Sequence, residues 1–268
     1  FKANEQQPYN EQSYSYDADG NRTSYSDAYK KTQYVYEKGK LKEVQIGSQL
    51  KRKLDYDVRG NLLAEKEFLQ GRETFTRSFE YDFQDRLLKS VVHDQSGSHV
   101  EARYQYDYAS RRTSKTINNE PQRYYVYGKS ADPLMELNGK KEVETLFIYI
   151  GGRRIAAFSN ETLQYYHPDE LGNALHLSED SGKVLETYRY DPFGNINFHA
   201  GVTNNRYQFA GKEYDENLGL IYFGARYYDP ETGRFISRDP LEDGINHYVY
   251  ANNNPLAHED YFGIGDIA

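Results

Sequence analysis

The stretch Tyr14-Ser15-Tyr16-Asp17-Ala18-Asp19-Gly20-Asn21-Arg22 decides the fold, because the chain repeats it in outline. It returns as Leu54-Asp55-Tyr56-Asp57-Val58-Arg59-Gly60-Asn61-Leu62, as Phe79-Glu80-Tyr81-Asp82-Phe83-Gln84-Asp85-Arg86-Leu87 and as Tyr104-Gln105-Tyr106-Asp107, with a degenerate copy at Tyr34-Val35-Tyr36-Glu37. The central tyrosines, at positions 16, 36, 56, 81 and 106, are spaced by 20 or 25 residues and are called the anchor tyrosines. A fixed period of this length indicates a repeat protein.

Each unit predicts a β-hairpin that must pack on its neighbours. Two aromatic side chains separated by one residue, such as Tyr14 and Tyr16, project from the same face of a strand. The Asp-x-x-Gly-Asn that follows supplies a turn, because aspartate bonds its own downstream backbone and glycine or asparagine tolerates positive φ. An isolated hairpin is marginal in water, so the units need one another. The sequence therefore predicts an all-β fold of repeated β-hairpins in one long, curved sheet.

The period also predicts where the tyrosines lie. We expect Tyr16, Tyr56, Tyr81 and Tyr106 to occupy equivalent places and to stack as a ladder on one sheet face. The alternative is an ordinary antiparallel sandwich with coincidental Tyr-Asp turns, and five copies in register argue against it. Looser units follow, with anchor tyrosines at Tyr127 and Tyr149, and a close copy returns at Tyr190-Asp191-Pro192-Phe193-Gly194-Asn195.

The composition suits such a sheet and narrows the range of partners. There are 28 Tyr and 13 Phe but no Trp, and tyrosine rings fit half-buried positions on sheets. The 33 basic and 41 acidic residues give a net charge of −8, which argues against nucleic acid as the main partner.

The lack of cysteine excludes disulfides and thiolate metal sites. No apolar run approaches a membrane span, and the start at Phe1, without initiator methionine or signal peptide, indicates a piece of a longer protein.

These repeats resemble the YD repeats of the bacterial Rhs proteins, which are related to Tc toxin B and C components and to teneurins. The second half is similar to the Rhs repeat-associated core domain nearly end to end. The residues that carry this resemblance are His167-Pro168-Asp169-Glu170-Leu171-Gly172-Asn173, the block from Asn205 to Glu213, the block from Gly219 to Pro230, Gly233-Arg234-Phe235-Ile236-Ser237-Arg238-Asp239-Pro240, and the closing Asn254-Pro255-Leu256 to Gly263-Ile264.

The resemblance implies a spiral β-sheet wound into a hollow shell around a toxin. Residues 1–160 then form the YD-repeat hairpin array, residues 161–264 the Rhs repeat-associated core domain, and residues 265–268 the start of the downstream variable toxin region. The implied partners are the chain's own C-terminal toxin domain, which is not in this sequence, the remaining N-terminal shell repeats, and secretion or toxin-complex components. The implied location is secreted or at the bacterial cell surface. At 268 residues we expect an open fragment of a shell.

The resemblance also implies a site at which the chain cuts itself. Family autoproteolysis uses two aspartates, one activating a water and the other polarising the scissile carbonyl. The matching residues are Asp239 and Asp260, with Arg238 in a supporting role and cleavage after Ile264. The alternative is that both aspartates are turn residues, as aspartate before proline often is. The family usually has proline after the second aspartate, and Tyr261 stands there in this chain, so cleavage that is slow, absent or differently arranged stays open.

Three other patterns indicate structure rather than chemistry. His167 and Asp169 lack the further His or Cys ligands of a metal site, so we expect His167 to pack and hydrogen-bond. Asp17, Asp19 and Asn21 resemble a calcium loop only faintly and predict a repeat turn. No cofactor is expected. The abundant tyrosines leave a rival function open: a cell-surface adhesin or carbohydrate-binding YD-repeat protein without cargo.

Overall fold

The computed structural model of the chain describes residues 11–242 and 244–264, and its regular structure is almost entirely β. The strands of the large sheet are β1 Ser13–Tyr16, β2 Arg22–Ser26, β3 Lys31–Glu37, β4 Lys40–Ile46, β5 Gln49–Tyr56, β6 Leu62–Leu69, β7 Arg72–Tyr81, β8 Leu87–Asp94, β9 His99–Tyr106, β10 Arg112–Ile117, β11 Arg123–Tyr127, β12 Pro133–Leu137, β13 Val143–Ile150, β14 Arg153–Ser159, β15 Thr162–Pro168, β16 Ala174–Glu179, β17 Val184–Tyr190 and β18 Ile196–Gly201. A small sheet follows with β19 Glu213–Asp215, β20 Leu220–Tyr222, β21 Tyr227–Asp229 and β22 Arg234–Phe235, and 3₁₀ turns lie at Phe209–Gly211 and Ala251–Asn253.

The eighteen strands form one antiparallel sheet in which each strand pairs with the next along the chain. The predicted all-β fold of repeated hairpins is therefore confirmed. β14 pairs with β15, and the paired strands continue to Gly201. The sheet therefore extends beyond residue 160, the end of the hairpin array that the resemblance implied. Among the described residues, no helix is long and apolar enough to span a membrane.

The anchor tyrosines occupy equivalent places in this sheet, as predicted. Each ends its strand just after a bulge and faces the first residue of the next strand: Tyr16 faces Arg22, Tyr56 faces Leu62, Tyr81 faces Leu87 and Tyr106 faces Arg112. A bulge increases the local twist of a strand pair, so its recurrence bends the sheet at regular intervals.

The anchor tyrosines act through their hydroxyl groups, and the predicted stacking of their rings on one another is wrong. Anchors lie on every second strand, about 10 Å apart, which is too far for ring contact. The hydroxyl of Tyr81 instead donates to the carbonyl of Leu62 (3.0 Å), and that of Tyr106 to the carbonyl of Leu87 (2.8 Å). The same bond to an earlier hairpin is made by Tyr36, Tyr127, Tyr149 and Tyr190.

Where an aspartate follows the anchor tyrosine, it closes the turn. The Asp57 carboxylate accepts hydrogen bonds from the backbone N–H of Asn61 (2.8 Å) and from its side-chain amide (3.1 Å). Where arginine replaces the asparagine, as at Arg86, its guanidinium bonds the Asp82 carboxylate in the same way (2.7 Å). This contact over four residues explains why Tyr-Asp is the constant part of the repeat.

The sheet curves until its beginning approaches its end. Laid flat, eighteen strands would separate the first and last by about 80 Å. Instead, the ring of Tyr14 in β1 lies 5.0 Å from that of Phe193, between β17 and β18. Residues 205–242 and 244–264, here called the inner segment, pack against strands along the whole length of the sheet and therefore fill its concave face.

The interface between sheet and inner segment mixes apolar packing with buried charge. Leu54 and Phe79 of the sheet share a core with Leu220 and Tyr227 of the inner segment. Ion pairs cross the same interface, and they join Arg52 to Asp229, Arg112 to Glu213, Lys115 to Asp215, Glu136 to Arg206 and Asp132 to Lys212. Such pairs need precise partners, because an unpaired buried charge is costly.

We expect acid to weaken this interface through Glu213. Burial alone would raise the pKa of its carboxyl, but Arg112 and Arg206 lower that pKa to about 2. A lowered pKa in the folded state adds stability that is complete above the unfolded value of about 4.3 and is lost as the pH falls towards 2. Thermal unfolding from about pH 6 downwards should show Tm falling below about pH 4.5.

The control for this prediction is Glu213→Gln, which removes the titrating group. The Tm difference between parent and variant should shrink as the pH falls through that window. A difference that stays constant down to about pH 2 would exclude Glu213 as the source.

Candidate functional site

Arg226 is the centre of a buried cluster that contains both predicted aspartates. Its Nη2 lies 3.3 Å from Oδ2 of Asp239 and 3.3 Å from Oδ2 of Asp260. Asp239 is 6% exposed, and Arg226 and Asp260 are each 2% exposed. The structure therefore brings the two aspartates together on one guanidinium nitrogen, although they are 21 positions apart in the sequence.

Local backbone contacts orient the two carboxylates. Asp239 follows β22, and its Oδ1 accepts a hydrogen bond from the N–H of Leu241 (2.8 Å). Its own N–H donates to the carbonyl of His247 (2.8 Å), which also accepts from Arg226 Nη1 (3.0 Å). Oδ1 of Asp260 accepts from the N–H of Ile264 (3.0 Å). Each aspartate thus has one oxygen towards the backbone and the other towards Arg226.

Residues 260–264 lie directly against this cluster. The Phe262 carbonyl accepts a hydrogen bond from the N–H of Ala225 (3.0 Å), and the Gly263 carbonyl accepts one from Arg226 Nε. The backbone that precedes the predicted cut is therefore held beside both aspartates. Residues 265–268, where the predicted toxin region begins, lie outside the described part of the chain.

Arg226 supplies a positive charge that both aspartates contact. Burial lowers the pKa of Arg226, and the negative charges of Asp239 and Asp260 oppose that effect. An arginine guanidinium remains protonated in proteins, so one positive charge faces two carboxyl groups. The guanidinium carbon also lies 3.7 Å from the centre of the Phe235 ring, which closes the cluster on one side.

Comparison with known proteins identifies the family. The family model of the teneurin YD-shell matches residues 2–256. The chain belongs to the teneurin YD-shell family. This confirms the resemblance to Rhs/YD-repeat shell proteins. Asp239 lies inside the matched range, whereas Asp260 lies just beyond it.

Relatives of this YD-shell chain include toxins and a surface protein. The tRNA3(Ser)-specific nuclease WapA of Bacillus spizizenii is 32% identical over 92% of this chain and 10% of its own length. Salivary gland surface protein 1 of Aedes aegypti is 27% identical over 93% of this chain and 8% of its own length. The toxin protein Tse5 of Pseudomonas aeruginosa is 26% identical over 78% of this chain and 18% of its own length. The chain thus spans less than a fifth of these relatives.

A solved structure shares the fold. In the crystal structure of TcdB2-TccC3-Cdc42, a region similar to this YD-shell chain aligns with a TM-score of 0.57 at 19% identity. The alignment covers 96% of this chain and 17% of that one. The agreement supports the open, curved sheet described above.

Arg238 pairs with a surface carboxylate in this YD-shell chain, and the arginine in contact with Asp239 is Arg226. Arg238 is 38% exposed at its side chain and pairs with Glu242 (3.2 Å) on the surface. One sequence feature pointed to a buried cation: Arg226 is the single cationic residue within the aromatic block from Ile221 to Tyr228.

The other sequence candidates are structural parts of the repeat. His167 Nε2 lies 2.8 Å from the Ser178 hydroxyl on the next strand. Asp169 closes its turn through the N–H of Asn173 (2.9 Å). Asp17 does the same through Asn21 (2.8 Å). These contacts agree with the expected packing of His167 and with the expected repeat turn at Asp17.

Proposed function

We propose that this chain is the C-terminal part of a bacterial toxin shell and that it releases the enclosed toxin by cutting its own backbone after Ile264. The observation that carries the proposal is the seating of residues 260–264 beside Asp239 and Arg226. A peptide segment held in place by its own backbone loses little further entropy on reaching the reacting geometry. That arrangement favours a single intramolecular cleavage.

The shell role is supported by the family and by the curvature of the sheet. A sheet that curves around its own inner segment has a shape suited to closing one end of a hollow shell. The partners proposed are the toxin domain that follows, the shell repeats that precede, and other toxin-complex components. Export from the bacterium is part of the same proposal.

The chemistry assigns a role to each group. In the proposed step, the oxygen of a water molecule bonds to the Ile264 carbonyl carbon, and the bond from that carbon to the next nitrogen breaks. One of the two carboxylates accepts the proton of the water and passes it to the departing nitrogen. Arg226 supplies positive charge to the oxygen of the carbonyl as it becomes negative.

The test uses a longer chain that continues past Ala268 into the downstream domain. Mass spectrometry should find a fragment ending at Ile264 in the parent and in Asp19→Asn, an exposed turn variant that serves as the matched control. The fragment should be absent in both Asp239→Asn and Asp260→Asn, with each variant shown to be folded by circular dichroism. An intact parent, or a cut that survives both changes, would leave the aspartates as structural residues.

A surface-binding role is the second candidate, and the similarity to a salivary gland surface protein favours it. Exposed rings at the turns, such as Tyr108 (96% exposed) and Phe83 (83% exposed), offer faces on which sugars could stack. A glycan array would support this role if binding were lost in Tyr108→Ala and kept in Asp19→Asn.

A further inference from the structure

Tyr261, the residue after Asp260, forms a contact with a distant part of the sheet. Its hydroxyl donates a hydrogen bond to Oδ2 of Asp132 (2.6 Å) and lies 3.1 Å from the carbonyl oxygen of Gly152. Lys212 completes the group: its Nζ lies 2.9 Å from Oδ1 of Asp132 and 4.0 Å from the centre of the Tyr261 ring. The Tyr261 side chain is therefore held by a hydrogen bond and by a cation over its ring. Residues 260–264, to which it belongs, are here called the terminal segment.

Burial and charge make this contact strong. Asp132 is 7% exposed and Lys212 is 4% exposed. Burial alone would raise the pKa of Asp132, but Lys212, Arg154 and the Tyr261 hydrogen bond hold that pKa below its ordinary value. Burial and the negative charge of Asp132 raise the pKa of Tyr261, so its hydroxyl keeps its proton and remains a donor. A hydrogen bond to a buried carboxylate is stronger than one between neutral groups.

The contact ties the terminal segment to three parts of the fold. Asp132 precedes β12, Gly152 lies in the turn between β13 and β14, and Lys212 belongs to the inner segment. Asp260 and Tyr261 line one cavity together with Asp132, Lys212 and Gly152. The Tyr261 contact therefore begins one residue after Asp260, whose carboxylate contacts Arg226.

We propose that Tyr261 is a positioning residue, whose hydroxyl holds Asp260 and the backbone to Ile264 against Arg226. A tyrosine leaves its own φ free, unlike a proline, so the constraint on this segment has to come from the side chain. Any effect on cleavage rests on the proposed function, whereas the positioning of the segment does not.

The test of positioning is hydrogen–deuterium exchange at the amide of Ile264, which bonds the Asp260 carboxylate. Tyr261→Phe keeps the ring and removes the donor, so this amide should exchange about 10- to 100-fold faster, as expected for the loss of one charge-assisted hydrogen bond. Exchange is measured in the Asp239→Asn background, in which the proposed cut does not occur. Tyr165→Phe is the matched control, because it loses an exposed hydroxyl that bonds Asp180.

The second readout is the rate of cleavage in the longer chain with Asp239 intact. Tyr261→Phe should slow it by about 10- to 100-fold, and Tyr261→Pro, which fixes φ without a hydroxyl, should cut faster than Tyr261→Phe. Unchanged exchange in Tyr261→Phe would overturn the proposal. So would a proline variant no faster than the phenylalanine variant, because the hydroxyl would then act in the chemistry. Faster exchange with no cleavage in any chain would support the positioning and reject the proposed function alone.

Discussion

Replacing Arg52 with methionine is expected to lower the free energy of unfolding by about 3–5 kcal/mol, because it leaves buried carboxylates without their cation. Arg52 is almost fully buried in β5 and pairs with Glu65 on the neighbouring strand. It also reaches Asp229 of the inner segment (2.6 Å) and Glu231 (3.0 Å). Burial alone would lower the pKa of Arg52, yet Asp229 and Glu65 raise it well above its ordinary value. One cation therefore joins two strands of the sheet to the inner segment.

Denaturant unfolding of Arg52→Met beside Arg72→Met measures this effect. Arg72 is an exposed residue at the start of β7, so the second variant makes the same chemical change away from the interface. We expect a loss within about 0.5 kcal/mol for the control. Equal losses in the two variants would show that the buried pairs contribute nothing beyond packing.

Arg226→Met is expected to lower the free energy of unfolding by a similar amount, about 3–5 kcal/mol, and to abolish cleavage in the longer chain. The change removes the cation that pairs with both Asp239 and Asp260. It also removes a donor from the carbonyls of His247 and Gly263. Residues 260–264 should lose their place first, since Arg226 contacts them directly.

A compensating variant separates these effects. Adding Asp239→Asn and Asp260→Asn to Arg226→Met removes the carboxylate charges that Arg226 had paired, so part of the lost stability should return while cleavage stays absent. If the triple variant is less stable than Arg226→Met alone, the carboxylates would not be the cause of the loss. Thermal unfolding and mass spectrometry of the same samples give both readouts.

The sheet could be predicted from the sequence because its rules are local. The Tyr-Asp unit contains its own strand end and its own turn, as the bonds from Asp57 to Asn61 show. The repeat period then places successive hairpins side by side. The predicted stacking of the anchor rings was wrong for a reason that is also local. An intervening strand separates neighbouring anchors such as Tyr56 and Tyr81.

The interface and the candidate site depend on partners that the sequence places far apart. Arg52 in β5 shares a strand face with Leu54 and Tyr56, so its burial is foreseeable, but nothing near it indicates that its partner is Asp229, 177 positions later. Arg226 is conspicuous as the single cation of its aromatic block, but nothing local indicates that its partners are Asp239 and Asp260. The resemblance identified the two aspartates, but the supporting cation was assigned to the adjacent Arg238. In the structure Arg238 pairs with Glu242, and the cation in contact with Asp239 comes from Arg226, 13 positions earlier.

The long separation between the sheet and its inner segment sets an order of assembly during synthesis. Strands β1 to β18 pair only with their neighbours in sequence, so each can join the sheet as it leaves the ribosome. Residues 205–264 emerge afterwards and find their charged partners, such as Arg52 and Arg112, already in place. Arg226, Asp239 and Asp260 all belong to this segment, so they meet only after it has emerged. A nascent chain would thus carry the proposed cutting site unassembled, and under the proposed function the toxin would stay attached until the segment has folded.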